Sequence, residues 1–316
     1  MFRLSQFYLD HYGFTVRPFS ILPDPQMLFW SDRHRKAFAV LEYGLMTRAP
    51  LTVVTGEVGA GKTTLIQALL RRVDSDMRVG LISNARGDRG DLLRWILNAF
   101  DISTPPGADY VDMFQTFQDF VLSEYAAGRL VVLIFDEAQN LGAETLEELR
   151  MLTNINSGTD ELLQLILLGQ PELRDIITRP DLRQFAQRVS ATFHLGSFDA
   201  ETSAAYIHHR LQKAGGTGTE IDAGACARIH AEARGVPRMI NKIADLALVY
   251  GAASGRPVVD EGIVDEVLRD GLILTAPDPA APNPGSREHG PRDATPPERP
   301  ARLVLAHEQE VKRDAT

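Results

Sequence analysis

The 316-residue sequence predicts an α/β fold: a mostly parallel sheet covered by helices on both faces, then a smaller helical region and a disordered tail. Three observations carry this. First, strand-like and helix-like segments alternate through residue 195, which is the signature of crossover-connected parallel strands. Residues 51–55 (LTVVT), 78–83 (RVGLIS), 130–135 (LVVLIF), 162–168 (LLQLILL) and 190–195 read as strands, and three of them are nearly all apolar, as strands buried on both faces are. Helical patterns occupy 62–73, 91–100, 110–127, 143–153 and 171–178. Second, after residue 195 the pattern is helical only, at 200–214, 222–233, 237–250 and 260–269. Asp199, Asp222 and Asp260 stand as N-caps there, and Gly215, Gly216, Gly235 and Gly251 at the ends. Third, eight of the 18 prolines fall between residues 277 and 300, and no aromatic residue follows residue 275, so this stretch cannot bury enough apolar area to offset its ordering entropy. The expected division is 1–195 for the α/β domain with an N-terminal wrap segment at 1–45, 196–272 for the helical domain, and 273–316 for the Pro-rich tail, whose 301–313 stretch reads as a frayed helical end.

Hydrophobic residues make up 44% and charged residues 24%, enough apolar surface for a full core. The 33 basic and 42 acidic residues give a net charge of −9, which excludes a global basic field for nucleic acid or anionic lipid. The single cysteine, Cys226, excludes an internal disulfide and any zinc site needing two cysteines, and reads as a small core residue. The longest clean apolar run, 130–135, is far short of the ~18 residues a membrane helix needs. Arg3, Asp10 and His11 interrupt the N-terminus, so it lacks the apolar core of a signal peptide. The expectation is a soluble, cytoplasmic protein.

The most specific motif is Gly56-Glu57-Val58-Gly59-Ala60-Gly61-Lys62-Thr63, set between a strand and a helix. Its glycines let successive backbone N–H groups turn inward onto phosphate oxygens at a helix N-terminus. Lys62 reaches the β- and γ-phosphates and the Thr63 hydroxyl is a Mg²⁺ ligand; Thr64 completes the set expected to bind nucleotide. The absence of a third glycine after Gly61 argues against a dinucleotide turn. The strand 130–135 ends in Asp136-Glu137, which places two carboxylates at the carboxyl edge of the sheet. Asp136 is expected at the metal and Glu137 at the attacking water, a pairing that favours ATP hydrolysis over a GTP switch. No guanine motif supports the latter: Asn241-Lys242-Ile243-Ala244-Asp245 is one residue too long. Asp136-Glu137-Ala138-Gln139 also reads as a helicase box, but a second helicase domain has no room in this length. Gln170, at the end of the strand 162–168, is placed to bond the γ-phosphate or the attacking water. Arg188, or else Arg183, precedes the last strand and is the candidate to stabilise the transferring phosphoryl group from a neighbouring subunit. Arg238 opens a helix of the second domain, where a cation opposes the helix dipole and so needs another partner, the nucleotide.

In this order, phosphate loop, acidic strand end, Gln170, Arg188 and Gly235-Val236-Pro237-Arg238 resemble the Walker A, Walker B, sensor 1, arginine finger and sensor 2 of AAA+ ATPases. More narrowly, residues 8–270 resemble the ATPase domain of the general secretion pathway protein A family. The resemblance rests on Tyr12-Gly13-Phe14, Pro18-Phe19, Pro23-Asp24-Pro25, His34, Tyr43-Gly44-Leu45, Asp136-Glu137-Ala138-Gln139, Gly169-Gln170-Pro171-Glu172-Leu173 and Tyr206-Ile207 with Arg210-Leu211. It implies a three-layer P-loop NTPase sheet with a helical lid, and ATP between them. The segment 18–25 would lie near the adenine, and Mg²⁺ with the triphosphate. It also implies a homo-oligomeric ring, since an arginine acting in trans requires a neighbour. Relatives of this kind often continue into a transmembrane helix and a peptidoglycan-binding region; this chain instead runs into its Pro-rich stretch.

The expected function is therefore an ATPase that energises or switches an envelope secretion or polysaccharide-export assembly, working at the inner membrane through a partner. The alternative is a DNA-associated ATPase that regulates a transposase. The acidic net charge weighs against nucleic acid, although Arg33-His34-Arg35-Lys36 and Arg71-Arg72 form local basic clusters. A nucleotide-locked scaffold fits least, because Lys62, Asp136 and Glu137 are all present.

Overall fold

Five strands pair in parallel in the computed structural model, which describes residues 4–21, 27–72, 76–83, 91–104, 106–158 and 160–272. They are β1 (Leu51–Gly56), β2 (Met77–Ser83), β3 (Leu130–Asp136), β6 (Leu163–Gly169) and β7 (Val189–Leu195). Between β3 and β6 lies a small antiparallel hairpin, β4 (Asn156–Ser157) with β5 (Asp160–Glu161), which the apolar patterns do not announce because all four residues are polar. The sheet order is β2-β3-β6-β1-β7, so β1 sits between β6 and β7 and its carboxyl end opens between their tips, with the tip of β3 one strand beyond β6. Thr55 lies opposite Gly169 of β6, and Gly56 opposite Leu195 of β7.

The alternation of side chains along each strand explains the layers. On one face, α2 (Asp32–Met46) and α3 (Lys62–Leu70) bring Phe38, Leu41, Leu65 and Ile66 against Val54, Val132, Ile134 and Ile166. On the other, α4 (Leu92–Ala99), α5 (Tyr110–Ala126), α6 (Ala143–Leu152), α7 (Glu172–Ile177) and α8 (Arg183–Arg188) bring Ile96, Phe117, Leu149, Leu173 and Phe185 against Val53, Leu133, Phe135 and Leu165. This is the three-layer arrangement expected.

A third core belongs to α9 (Ala200–Lys213), α10 (Ala223–Ala233), α11 (Pro237–Ala253) and α12 (Glu261–Arg269). The three aspartates cap as expected: Asp199 accepts from the Thr202 N–H at 2.8 Å, Asp222 from Ala225 at 2.7 Å and Asp260 from Ile263 at 3.0 Å. Cys226 is buried in this core. The N-terminal segment divides between the two parts: α2 lies on the sheet, whereas α1 (Leu4–Tyr12) and the strap that follows it place Tyr8, Leu9, Phe14, Phe19 and Met27 in the helical core.

Gly251 differs from expectation. It does not end its helix; α11 runs on to Ala253, and a Cβ at Gly251 would fall 2.3 Å from the Tyr12 hydroxyl. The glycine makes room for α1 rather than a helix stop. Gly235 is required by a closer approach: φ is +70°, and a Cβ would stand 1.9 Å from the carbonyl oxygen of Phe198, whose N–H donates to Gly235 O at 2.8 Å. The tail at 273–316 with its 301–313 stretch, the Pro23–Pro25 element and Val73 lie outside the described residues.

Candidate active site

The phosphate loop joins β1 to α3. Gly59 and Gly61 have φ of +82° and +102°, and Cβ atoms there would fall 2.4 Å from the Arg238 Cβ and 2.7 Å from the His34 Nε2. The loop is thus wedged between the start of α11 and the start of α2, and only glycine fits at both positions. Ala60 is buried, Gly59, Gly61 and Thr64 are half-buried, and Glu57, Val58 and Thr63 are exposed.

Lys62 is 6% exposed, and its ammonium donates to the carbonyl oxygens of Gly56 at 2.5 Å and Glu57 at 3.1 Å. Burial lowers its pKa, opposed by the nearby carboxylates of Glu137, Asp136, Glu57 and Glu172. The ammonium is folded onto its own loop, at the centre of the cradle where phosphate oxygens would replace those carbonyls. The Thr63 hydroxyl donates to Asp136 Oδ2 at 3.1 Å, which ties the start of α3 to the tip of β3. A hydroxyl and a carboxylate so joined are the hard oxygen donors that Mg²⁺ takes, and the inward backbone with a buried ammonium suits a triphosphate. The residues present therefore fit both groups.

Glu137 follows in left-handed backbone, φ +58° and ψ +38°, a conformation costing a non-glycine residue roughly 1–2 kcal/mol. Asp136 Oδ1 accepts the Glu137 N–H at 3.0 Å and holds the turn. The Glu137 Oε2 receives two amides, Gln139 Nε2 at 2.6 Å and Gln170 Nε2 at 3.2 Å. Burial would raise the Glu137 pKa, but these amides and the Lys62 charge outweigh it and hold the carboxyl below the ordinary glutamate value. Gln139 Oε1 in turn accepts the backbone N–H of Gln170 at 2.9 Å. In the sequence Gln139 belongs to the Asp136-Glu137-Ala138-Gln139 motif without a role of its own; its link from the end of β6 to Glu137 has no signature there.

A cleft of about 400 Å³ is lined by Lys62, Thr63 and Glu137 together with Ile21, Met27, Leu28 and Phe29. Arg238 lines it from the first turn of α11, with its backbone N–H 3.4 Å from Gly59 O. The sheet end and the helical end therefore meet at Gly59 and Arg238. Arg188 is elsewhere. It precedes Val189, which pairs with Leu51 at the amino end of β1, so the length of the strand, roughly 20 Å at ~3.3 Å per residue, separates it from its own loop. Arg188 bonds Glu161 at 3.3 Å and Asn154 at 2.5 Å, and Arg183 nearby is exposed.

His34, a member of the 33–36 basic cluster in the sequence, is turned inward in the structure. It is 5% exposed; its Nε2 donates to Ala60 O at 3.2 Å, and its Nδ1 lies 2.7 Å from the Ser31 hydroxyl. The Ser31 oxygen also accepts the His34 N–H as the N-cap of α2, so the hydroxyl proton turns to Nδ1 and fixes the Nε2–H tautomer. Burial pushes the imidazole pKa down to about 4, so the ring is neutral at pH 7.

The sheet order, the loop and the acids at the tip of β3, one strand removed from β1, define a P-loop NTPase fold of the AAA+ class. Residues 46–177 match the AAA domain family. The chain is a relative of general secretion pathway protein A: over 255 residues it is 38% identical to that protein of Aeromonas hydrophila, with 81% of this chain and 47% of the relative covered. The chain thus spans about half the length of that relative. Two solved structures share the fold. The Aeropyrum pernix ORC2 protein, in its ADPNP and ADP complexes, superposes with a TM-score of 0.62 at 18% identity, covering 81% of this chain and 72% of that one. Cdc6p of Pyrobaculum aerophilum gives 0.62 at 14% identity with the same coverage.

Proposed function

We propose that the chain is a Mg²⁺-dependent ATPase, and that hydrolysis energises or switches an envelope secretion or export assembly. The observation that supports the chemistry best is the Thr63–Asp136 contact of 3.1 Å, because it brings the phosphate loop and the acidic strand tip to one point. Thr63 and Asp136 would hold the metal, which when bound neutralises charge on the β- and γ-phosphates. The Lys62 ammonium exchanges its Gly56 and Glu57 carbonyls for phosphate oxygens, and backbone N–H groups of 57–63 take the rest. Glu137, kept ionised by its two amide donors, accepts the proton of the attacking water as general base. Gln170 shares that carboxylate and so senses its position. Arg238 closes the cleft from α11.

Arg188, distant from its own loop, serves a neighbouring protomer, which makes the working form a homo-oligomer; its Glu161 and Asn154 bonds hold it ready at the far edge of the sheet. The working units are an α/β domain to residue 195, whose α1 and following strap pack with the helical core, the helical lid at 196–272 and the tail. The secretion role rests on the relative described above. Among the described residues no helix is long and apolar enough to cross a membrane.

Glu137→Gln tests the chemistry. ATP binding should persist while turnover falls about 10²–10⁴-fold, the span of a general base; an unchanged turnover would assign the water to another group.

A further inference from the structure

The helical core holds a buried arginine. Arg210 is 6% exposed, and among the described residues it forms no ion pair. Its guanidinium instead spans the N-terminal strap: Nε donates to Pro18 O at 2.6 Å, one terminal nitrogen to Ser20 O at 3.2 Å and the other to the Tyr206 hydroxyl at 3.3 Å. The Tyr206 hydroxyl donates to Asn241 Oδ1 at 2.8 Å, and Asn241 Nδ2 returns to the same Ser20 carbonyl at 3.4 Å. One helical turn away, His209 Nε2 bonds Leu28 O at 3.1 Å, and at the end of α9 the Ala214 carbonyl accepts the Thr15 N–H at 2.8 Å. Burying an unpaired guanidinium is costly, and an apolar residue of similar volume would pack this core at least as well. The arginine does what an apolar residue cannot: it fastens two strap carbonyls of fixed geometry to α9.

Those carbonyls belong to the strap that borders the cleft. Ser20, Ile21, Leu28 and Phe29 line it together with Tyr206 and Arg210, in the same cleft as Lys62. A nucleotide with its phosphates at Lys62 would meet these residues with its base. We propose that Arg210 is a positioning residue for base recognition. By clamping Pro18 and Ser20 to α9 it makes strap and lid one body, so that the base pocket forms on the lid and not on the sheet. This rests on the nucleotide-site reading above.

The test compares ATP with inorganic tripolyphosphate, which carries the phosphates and no base, in Mg²⁺ by calorimetric titration of the full chain. Wild type should bind ATP at least 10-fold more tightly than tripolyphosphate. Arg210→Met should lose about 10-fold or more in ATP affinity and keep its tripolyphosphate affinity within 2-fold. Asn241→Ser, a milder change that leaves Arg210 in place, should show a smaller loss with the same selectivity. Equal losses for both ligands, or no loss in either variant, would overturn the clamp while leaving the phosphate loop intact. Wild type that binds ATP no better than tripolyphosphate would overturn it too, by removing the base from the pocket. Absence of binding for both would strike instead at the nucleotide site itself.

Discussion

Burial of His34 makes stability depend on pH. Its ring is sealed between Gly61, Ala60 O and the Phe198 ring, in a T-shaped contact with 5.6 Å between centroids, and burial pushes its pKa down to about 4 from an ordinary 6.5. A base with a depressed folded-state pKa binds its proton more readily unfolded. Stability is therefore complete above pH 6.5 and is lost as pH falls from 6.5 towards 4. The full loss is about 3 kcal/mol at 1.36 kcal/mol per pH unit, and about 2 kcal/mol is already gone at pH 5. His34→Gln keeps an N–H for Ala60 O and removes the titration. Urea unfolding at pH 8 and pH 5 should show wild type losing about 2 kcal/mol more than the variant, every other titrating group cancelling in the difference. Equal losses would mean that the ring is hydrated or freely protonated in place, and that it does not brace the loop as described.

Two further outcomes follow. Gln139→Leu removes the shorter of the two amides on Glu137 and the acceptor of the Gln170 N–H; turnover should fall about 10-fold or more, in line with the loss of a hydrogen bond to a charged group together with a backbone partner, with ATP affinity unchanged, which paired turnover and titration measurements would check. The Cys226 thiol, pushed up to about 11 by burial and by Asp222, should resist a disulfide reagent at pH 8 until the protein is unfolded; rapid labelling of native protein would refute its place in the core.

The elements were legible where one physical signal dominated. Continuous apolar runs such as 130–135 are buried on both faces along 131–135 and declare their strand directly, and aspartate caps mark helix starts because their hydrogen bonds are local. The phosphate loop is legible for the same reason: its glycines answer to backbone conformation within eight residues. What depends on distant chain was not. Gly251 reads as a stop until Tyr12 is seen to fill its side, and His34, Gln139 and Arg210 acquire meaning only from Ala60, Gln170 and Pro18, 26, 31 and 192 residues away. The polar hairpin at 156–161 carries no hydrophobic pattern at all.

The decisive measurement is calorimetric titration of ATP with Mg²⁺ into wild type and Lys62→Ala. An ammonium that trades two loop carbonyls for phosphate oxygens is worth about 1.5–3 kcal/mol, so the variant should bind roughly 10–100-fold more weakly while its fold, read by circular dichroism, is kept. Equal affinities would contradict the seating of a triphosphate on this loop.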